Sequence, residues 1–377
     1  MTGRAMLLVL VLFGLLLASL SWRPDPPPPR ASVDLRQALG GQSDRFTPVL
    51  GPKPMSFPAD HGPHPDYRTE WWYFTGNLQS QGSRFGYQLT FFRSAAELPE
   101  PAANSAWSAS QVYLAHLAIS DIDGGQFHSR ERTSRASLGL AGANETKVWC
   151  GPWSCLRDPR GFHLQADGLE LDLLAVEPTL QGDRGFSRKA AETGVASYYY
   201  SLTRLPTRGH LTVDGEVFEV SGNSWMDHEW SSHTLADHLE GWDWFSLQME
   251  DGTDIMAFRL RRQDGTWDDF NAGTFAGEPL RAKDFSLRAT GSWTSPSSGV
   301  EYPAGWELAI PSKGKLYRIE PALANQELQV SVRYWEGAVK IKEAHSGVEG
   351  VGYVELVGYA ARDWRARRDS NPQPSGP

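Results

Sequence analysis

The stretch "NSWMDHEWSSH" (residues 223–233) places an aspartate, a histidine and a glutamate among aromatic rings. Asp227 lies between Trp225 and Trp230. An aspartic acid in water ionises near pH 4, about three units too low for an acid at neutral pH. In a cavity that excludes water, desolvation would favour its protonated form. Such an acid could protonate an isolated alkene, and indole faces could stabilise the carbocation. The alternative is structural: Asp227 caps a turn or pairs with an arginine.

His228 is the second catalytic candidate, because an imidazole can act as a general base near neutral pH. Oriented by a carboxylate, it could activate water for hydrolysis. Consecutive residues on a β-strand point to opposite faces, so His228 and Asp227 cannot serve one site unless the backbone bulges. A simple Asp-His dyad is therefore not expected, and a hydrogen-bonded structural histidine is the alternative.

The histidines at 228, 233 and 238 recur every five residues, which is not a metal-binding spacing. The zinc motif His-Glu-x-x-His places two imidazoles one helical turn apart on the same face. Five residues turn the second ring about 140° away on a helix, and an odd spacing separates the rings on a strand. We predict no metal and no cofactor. The chain also lacks the Gly-x-Ser-x-Gly pattern of a serine nucleophile.

Glu70, Trp71, Trp72 and Tyr73 form a second aromatic stretch, on a predicted strand. Alternation places Glu70 and Trp72 on one face and the other two on the opposite face. Inside a barrel, a glutamate beside a tryptophan would anchor a ligand; outside, it would be solvated. The predicted ligand-binding residues come from this stretch, from residues 223–233 and from residues 241–244: Glu70, Trp72, Trp225, Trp230, Trp242 and Trp244.

Alternating hydrophobicity indicates β-strands over most of the chain. In residues 168–176, Leu169, Leu171 and Leu173 share one face, and acidic residues occupy the other. Asp-Gly pairs, which favour tight hairpin turns, separate such runs. Long amphipathic helices are missing after the N-terminal segment. The pattern predicts an antiparallel all-β protein, either a barrel or a sandwich.

The composition limits the class of partner and the cellular compartment. Fifteen tryptophans in 377 residues suit a rigid aromatic pocket or a sandwich core. A formal charge of −9 argues against a nucleic-acid partner, since phosphate binding needs a basic face. The two cysteines, Cys150 and Cys155, flank a Gly-Pro turn. In an oxidising compartment we expect them to form a local disulfide.

Both termini differ in composition from the rest of the chain. Residues 1–22 carry one arginine and an apolar run that closes on small residues, which is typical of a secretory signal peptide; an uncleaved membrane anchor is the alternative. A proline-rich linker is predicted at 23–56 and a basic, disordered tail at 361–377. The protein is therefore expected to be exported to the periplasm or cell envelope, close to the membrane.

Residues 71–92 resemble residues 241–262 at an offset of 170. Trp72 then matches Trp242, Gly82 matches Gly252, and each segment reads as an aromatic strand, a turn and a second strand. The match indicates either a duplication, with a boundary near residue 235, or a chance similarity between two hairpins.

Several motifs resemble, in this order, the AttH-like, lipocalin-like family: "HPDYRTEWWYFTGNL", "FGYQLTFFR", "YLAHLAISD", "SWMDHEW" and "GWDWFSLQMEDGTDIMAFRLRR". The family is related to the bacterial carotenoid 1,2-hydratases, and its members are often labelled secreted hydrolases. The resemblance covers residues 57–359. It implies two tandem lipocalin-like antiparallel barrels, which we place at 57–235 and 236–360.

The resemblance implies two functions. The first is binding of a hydrophobic ligand, a lipid or an isoprenoid, in a role beside an ABC-type export system. The second is hydration or hydrolysis of an apolar substrate, with Asp227 as the general acid and Trp225, Trp230 and Trp242 around the carbocation. We expect binding first, because no standard catalytic signature is present.

Overall fold

Alternating apolar residues and tight turns fold the chain almost entirely into antiparallel strands in a computed structural model, which describes residues 45–95, 110–233 and 235–359. The prediction of an all-β protein is confirmed. The helices in these ranges are two short 3₁₀ turns, Ala59–His61 and Pro311–Lys313, and neither is long and apolar enough to span a membrane. The predicted signal or anchor, residues 23–44 of the linker and the predicted tail lie outside these ranges.

The first sheet contains thirteen strands, and its first strand pairs with both its second and its last. The strands are β1 Thr69–Ser80, β2 Ser83–Ala95, β3 Gln111–Asp121, β4 Gln126–Arg135, β5 Ala141–Asn144, β6 Lys147–Cys150, β7 Trp153–Asp158, β8 Gly161–Ala166, β9 Leu169–Leu174, β10 Thr179–Leu180, β11 Phe186–Arg188, β12 Ala196–Val213 and β13 Glu216–His233. The main path runs β4-β3-β2-β1-β13-β12-β9-β8-β7-β6-β5. Its two ends approach each other, since Cys150 Sγ in β6 lies 3.6 Å from the carbonyl oxygen of Arg132 in β4. The sheet therefore curls into a nearly closed barrel.

The second sheet repeats this plan with ten strands, β14 lying between β15 and the last strand, β25. The strands of this half are β14 Leu239–Met249, β15 Asp254–Arg262, β16 Ala272–Phe275, β17 Glu278–Arg281, β18 Ser286–Ala289, β19 Ser292–Thr294, β20 Glu301–Pro303, β21 Trp306–Ile310, β22 Lys315–Pro321, β23 Glu327–Leu328, β24 Tyr334–Glu343 and β25 Glu349–Leu356. β19 and β20 form a separate hairpin. The two tandem antiparallel barrels are therefore confirmed, whereas the predicted boundary near residue 235 stays a prediction.

Each barrel is filled by its own side chains. Phe74, Leu89 and Leu171 belong to the core of the first, and Phe245 and Trp306 to the core of the second. A third apolar cluster, which includes Tyr73, Tyr199, Trp225, Trp244 and Phe258, contains outward-facing residues of both sheets. The two barrels therefore pack against each other through an aromatic layer, and the space for a ligand has to be sought in that layer.

The repeated hairpins occupy equivalent places in the two sheets, but their faces match at two different offsets. Gly82 and Gly252 both lie in the turn with positive φ. In the first strand of each hairpin, Phe74 and Phe245 both face a barrel core, which is an offset of 171 instead of 170. The turn of the second hairpin holds one residue more. Two residues separate Ser80 from its partner Ser83, whereas three separate Met249 from Thr253, whose carbonyl oxygen accepts a hydrogen bond from the Met249 N–H. One extra residue reverses the faces of a strand.

The predicted disulfide between Cys150 and Cys155 is wrong, since both thiols are free and buried. Cys150 lies opposite Trp153, and Cys155 lies opposite Val148. The two cysteines are therefore diagonal neighbours on one face of a hairpin. Diagonal Cα atoms lie about 7–8 Å apart, beyond the roughly 4.4–6.8 Å that a disulfide spans.

Candidate active site

A cavity of about 80 Å³ lies in the aromatic layer between the sheets. It is lined from the first sheet and its loops by Trp71, Tyr73, Lys189, Tyr199, Asp227, Glu229 and Leu235, and from the second by Trp242, Trp244, Phe258, Leu260 and Glu355. Trp71, Trp242 and Glu355 are partly exposed, and the other lining residues are buried. The cavity therefore has an enclosed inner end and an outer end that solvent can reach. Its volume holds several water molecules or the end of a branched apolar group.

Asp227 lies at the inner end, with only 3% of its surface exposed. Alternation along β13 turns Trp225, Asp227 and Glu229 towards the second sheet. The Tyr199 hydroxyl donates a hydrogen bond of 2.5 Å to Asp227 Oδ2. The Ser201 hydroxyl and Trp225 Nε1–H donate to Oδ1, at 2.5 and 2.7 Å. Among the residues that the structure describes, the carboxyl group is thus held by three donors and by no arginine, so the ion-pair alternative is not supported.

The hydroxyl groups that face Asp227 are themselves oriented by a second layer of donors. Trp244 Nε1–H donates to the Tyr199 oxygen at 3.1 Å, and Gln181 Nε2 donates to the Ser201 oxygen at 2.8 Å. Each hydroxyl has one proton, which this arrangement directs to Asp227. These fixed donors stabilise the carboxylate that would form when the acid releases its proton.

Burial raises the pKa of Asp227 to about 7, because desolvation penalises the charged form and the nearby Glu229 charge adds to it. The hydrogen bonds from Ser201, Tyr199 and Trp225 act in the opposite direction. At neutral pH the group is therefore present in both protonation states. A proton donor or acceptor works best with a pKa near the working pH.

Two further carboxyl groups line the cavity, and they differ in their partners. Glu229 forms a 3.0 Å salt bridge with Lys189 and a hydrogen bond with Ser197. Glu355 in β25 accepts a 2.7 Å hydrogen bond from Trp242 Nε1–H through Oε2. Burial raises the pKa of Glu355 to about 7, with a further contribution from the Asp227 charge. Glu229 is thus neutralised by a lysine, whereas Glu355 has no salt bridge to any residue in the described ranges.

The raised pKa of Asp227 predicts that the folded state loses stability with rising pH. Between the ordinary pKa of 3.8 and the folded value of about 7, the folded protein keeps a proton that the unfolded chain releases, so the free energy of unfolding falls through this range. At pH 8 an Asp227→Asn variant should be more stable than the wild type, by up to ~4 kcal/mol at 1.36 kcal/mol per pKa unit. At pH 4 the two should be alike. Denaturant unfolding followed by tryptophan fluorescence measures this, and the same difference at both pH values would contradict it.

His228 lies on the opposite face of β13 and does not reach the cavity. Its Nε2–H donates to Glu70 Oε1 at 2.9 Å, and its ring stacks on Trp72 at 4.8 Å between centroids. Burial lowers the pKa of His228, so the imidazole is neutral. The contacts of His228 therefore support a role as a hydrogen-bonded structural histidine. His228 and Asp227 lie on opposite faces of β13, as alternation along a strand predicts.

Glu70 is fully buried inside the first barrel, so the solvated alternative is wrong. It accepts hydrogen bonds from His64 Nδ1 at 2.7 Å, His228 Nε2 at 2.9 Å and Arg93 Nε at 3.0 Å. Burial alone would raise the pKa of Glu70, but the two histidines and the Arg93 charge hold it well below its usual range. Glu70 is occupied by protein groups and is not free to anchor a ligand.

The hydrogen-bonded cluster around Glu70 brings potential metal-ligand atoms of His64, Glu70 and His228 within 4.8 Å of one another. Both histidines approach the same oxygen of Glu70, and Arg93 contacts the other oxygen. A metal ion needs about 2.0–2.2 Å to each ligand, which separations of 2.7 and 2.9 Å do not accommodate without expansion. The guanidinium charge would also oppose a cation. The cluster fits a hydrogen-bonded ion group better than a metal site.

The predicted ligand-binding residues are divided between the two faces of the first sheet. Trp242 and Trp244 line the cavity, and Trp225 contacts Asp227 from beside it. Glu70, Trp72 and Trp230 lie inside the filled barrel, where Trp230 stacks on His64 at 3.7 Å. Trp230 therefore cannot shelter a carbocation beside Asp227. Trp230 is three residues from Asp227, and an odd spacing along a strand predicts that the two side chains point to opposite faces.

Sequence reasoning missed three residues that matter for the cavity. Tyr199 and Ser201 come from the "YYYS" run of β12, which pairs with β13 so that Ser201 lies opposite Asp227. Glu355 is an isolated carboxylate in the apolar strand β25. A charged residue within an apolar strand is the local signal that could have identified Glu355.

Comparisons with known proteins agree with this fold. The model of the AttH-like family matches residues 48–359. A crystal structure of a Nitrosomonas europaea protein assigned as an AttH has 33% sequence identity and a TM-score of 0.75, covering 83% of this chain and all of that one. Kievitone hydratase from Nectria haematococca has 15% identity and a TM-score of 0.59, covering 83% of this chain and 98% of that one.

A third solved structure, CghA bound to Sch210972, has 13% identity and a TM-score of 0.50, and covers 85% of this chain and 98% of that one. No curated protein matches the sequence. The family model covers most of the chain, and the Nitrosomonas europaea protein is similar over its whole length. This chain belongs to the AttH-like family.

Proposed function

We propose that the protein is a hydratase-type enzyme that protonates an apolar, alkene-containing substrate through Asp227. The observation that carries the proposal is a carboxylic acid, 3% exposed and with a pKa of about 7, at the closed end of an aromatic cavity. An ordinary surface aspartate cannot supply a proton at neutral pH. The similarity of fold to kievitone hydratase, which by its name adds water to its substrate, supports the same class of reaction.

The residues around Asp227 can stabilise both charged species of such a reaction, the carbocation and the Asp227 carboxylate. In the first step the Asp227 proton passes to one alkene carbon, and the other carbon becomes a cation. The indole rings of Trp242 and Trp244 and the ring of Tyr73 line the same space and can stabilise the cation through their faces. Water then adds to the cation and a proton is released, which gives an alcohol. The Tyr199, Ser201 and Trp225 donors stabilise the Asp227 carboxylate left behind.

Ligand binding without chemistry is the second candidate. The mostly apolar cavity with two partly exposed tryptophans, Trp71 and Trp242, at its outer end favours it. The filled barrel cores mean that a lipid or isoprenoid would enter between the barrels instead of inside one of them. Export to the cell envelope and a role beside an ABC-type export system remain predictions from the sequence.

The test is hydration of acyclic isoprenoids that end in a trisubstituted alkene. Purified protein is incubated with geraniol, farnesol, squalene and lycopene in oxygen-18 water, and the products are analysed by mass spectrometry. We expect a tertiary alcohol carrying one oxygen-18 atom from at least one of these compounds. Binding of a compound without any labelled alcohol would favour the second candidate, and hydration of none of the four would contradict the proposal.

A further inference from the structure

Glu355 lines the opposite wall of the cavity from Asp227. Asp227 belongs to β13 of the first sheet and Glu355 to β25 of the second, and both line the same space. Glu355 is partly exposed, whereas Asp227 is buried. Its Oε2 accepts the Trp242 hydrogen bond, and within residues 45–95, 110–233 and 235–359 its Oε1 has no hydrogen-bond partner. One carboxyl oxygen of Glu355 is therefore free to accept a hydrogen bond from a water molecule at the outer end of the cavity.

Addition of water to a carbocation requires a proton acceptor, and the other carboxyl groups of the cavity are unsuited to this step. Asp227 oxygens already accept three hydrogen bonds, from Tyr199, Ser201 and Trp225. Glu229 is paired with Lys189. Glu355 is the remaining carboxylate among the lining residues, and it is more exposed than Asp227. The residue with a free carboxyl oxygen, Glu355, is therefore also the one that can accept the proton.

We propose that Glu355 is the general base that accepts the proton of the attacking water, an inference that rests on the proposed hydration. Asp227 gives its proton to one alkene carbon and becomes a carboxylate. The water oxygen bonds to the cationic carbon, and one of the water protons passes to Glu355 Oε1. The sum is alkene plus water to alcohol, with one proton moved from Asp227 to Glu355. After product release, Glu355 returns a proton to solvent and Asp227 takes one up.

The electrostatics of the pair fit this division of roles. Burial, and after it the charges of Asp227 and Glu229, raise the pKa of Glu355, which favours one negative charge on the Asp227–Glu355 pair over two near neutrality. Burial raises the pKa of both carboxyl groups to about 7, so near neutrality the pair shares one proton, and the reaction starts from the form in which Asp227 holds it. The reaction needs a protonated Asp227 as the donor and an ionised Glu355 as the acceptor at its start.

The test is a Glu355→Gln variant, assayed on the isoprenoid that the wild type hydrates. The amide oxygen still accepts the Trp242 hydrogen bond but cannot take up a proton. In deuterium oxide, Asp227 still protonates the alkene reversibly, so deuterium should continue to enter the recovered alkene. Formation of the labelled alcohol should fall about 10²–10⁴-fold, the usual contribution of a general base. Glu355→Asp should recover part of the lost rate.

The pH profile gives a second readout. Alcohol formation by the wild type should rise with pH as the base ionises and fall as the acid loses its proton, and Glu355→Gln should lose the rising limb only. Glu349→Gln, an exposed position on the same strand, is the matched control and should behave as the wild type. Alcohol formation by Glu355→Gln at the wild-type rate, or loss of deuterium exchange together with alcohol, would overturn the role of Glu355. Absence of both signals in the wild type would instead overturn the proposed hydration.

Discussion

An Asp227→Asn variant is expected to fold normally and to lose alcohol formation by about 10²–10⁴-fold, the range that a positioned general acid contributes. The asparagine oxygen can still accept the Trp225 and Ser201 hydrogen bonds that now reach Oδ1, but the amide has no acidic proton. Deuterium exchange into the alkene should disappear together with the alcohol. This joint loss distinguishes Asp227 from Glu355, whose substitution should spare the exchange.

The control for this variant is Asp172→Asn, an exposed aspartate in β9 that pairs with His163. Its hydration rate should equal that of the wild type. Circular dichroism and the melting temperature of both variants establish that the fold is intact. A wild-type rate of deuterium exchange in Asp227→Asn would remove Asp227 from the mechanism and favour the binding function.

An Arg93→Met variant is expected to lose about 3–5 kcal/mol of unfolding free energy, because removal of one partner leaves a buried charge uncompensated. The Arg93 guanidinium donates to Glu70 Oε2 at 3.0 Å, to Gln111 Oε1 at 2.9 Å, and to the carbonyl oxygens of His64 and Tyr67 at 3.0 and 2.8 Å. Only 2% of the arginine is exposed. Urea unfolding at neutral pH measures the loss.

The exposed pair of Arg84 and Asp123 provides the comparison, since an exposed ion pair contributes only about 0–1 kcal/mol. Arg84→Met should therefore cost far less than Arg93→Met. The double variant Glu70→Gln/Arg93→Met should lose less unfolding free energy than the two single variants lose together, because the uncharged amide at position 70 no longer needs the guanidinium. Equal losses for the two arginine variants would show that the buried ion group contributes little.

Period-two alternation was enough to predict the fold class and to separate the faces of single strands. It placed Glu70 and Trp72 opposite Trp71 and Tyr73, which is the arrangement across β1. It could not show which of the two faces would border a cavity. That depends on the packing of β1 and β13 against β14 and β25, strands far apart in the sequence.

The sequence-based predictions that differ from the structure do so for local physical reasons. Trp230 is close to Asp227 in the sequence, but a separation of three residues puts the two side chains on opposite faces of β13. Cys150 and Cys155 do share a face, but the register of their hairpin makes them diagonal instead of direct neighbours. Glu355 has no motif around it, and only the pairing of β25 with β14 brings it to the cavity. The all-β fold was thus readable from local patterns, and the composition of the site was not.

The cavity belongs to neither half of the chain, since β13 contributes Asp227 and β25 contributes Glu355 to one space. Exchange of the first half between two members of the family would bring together walls from different parents. Such a chimaera would inherit its proton donor from one parent and half of its apolar lining, Trp242, Trp244, Phe258 and Leu260, from the other. The compounds accepted by a set of these hybrids would then reveal which half of the gene determines selectivity.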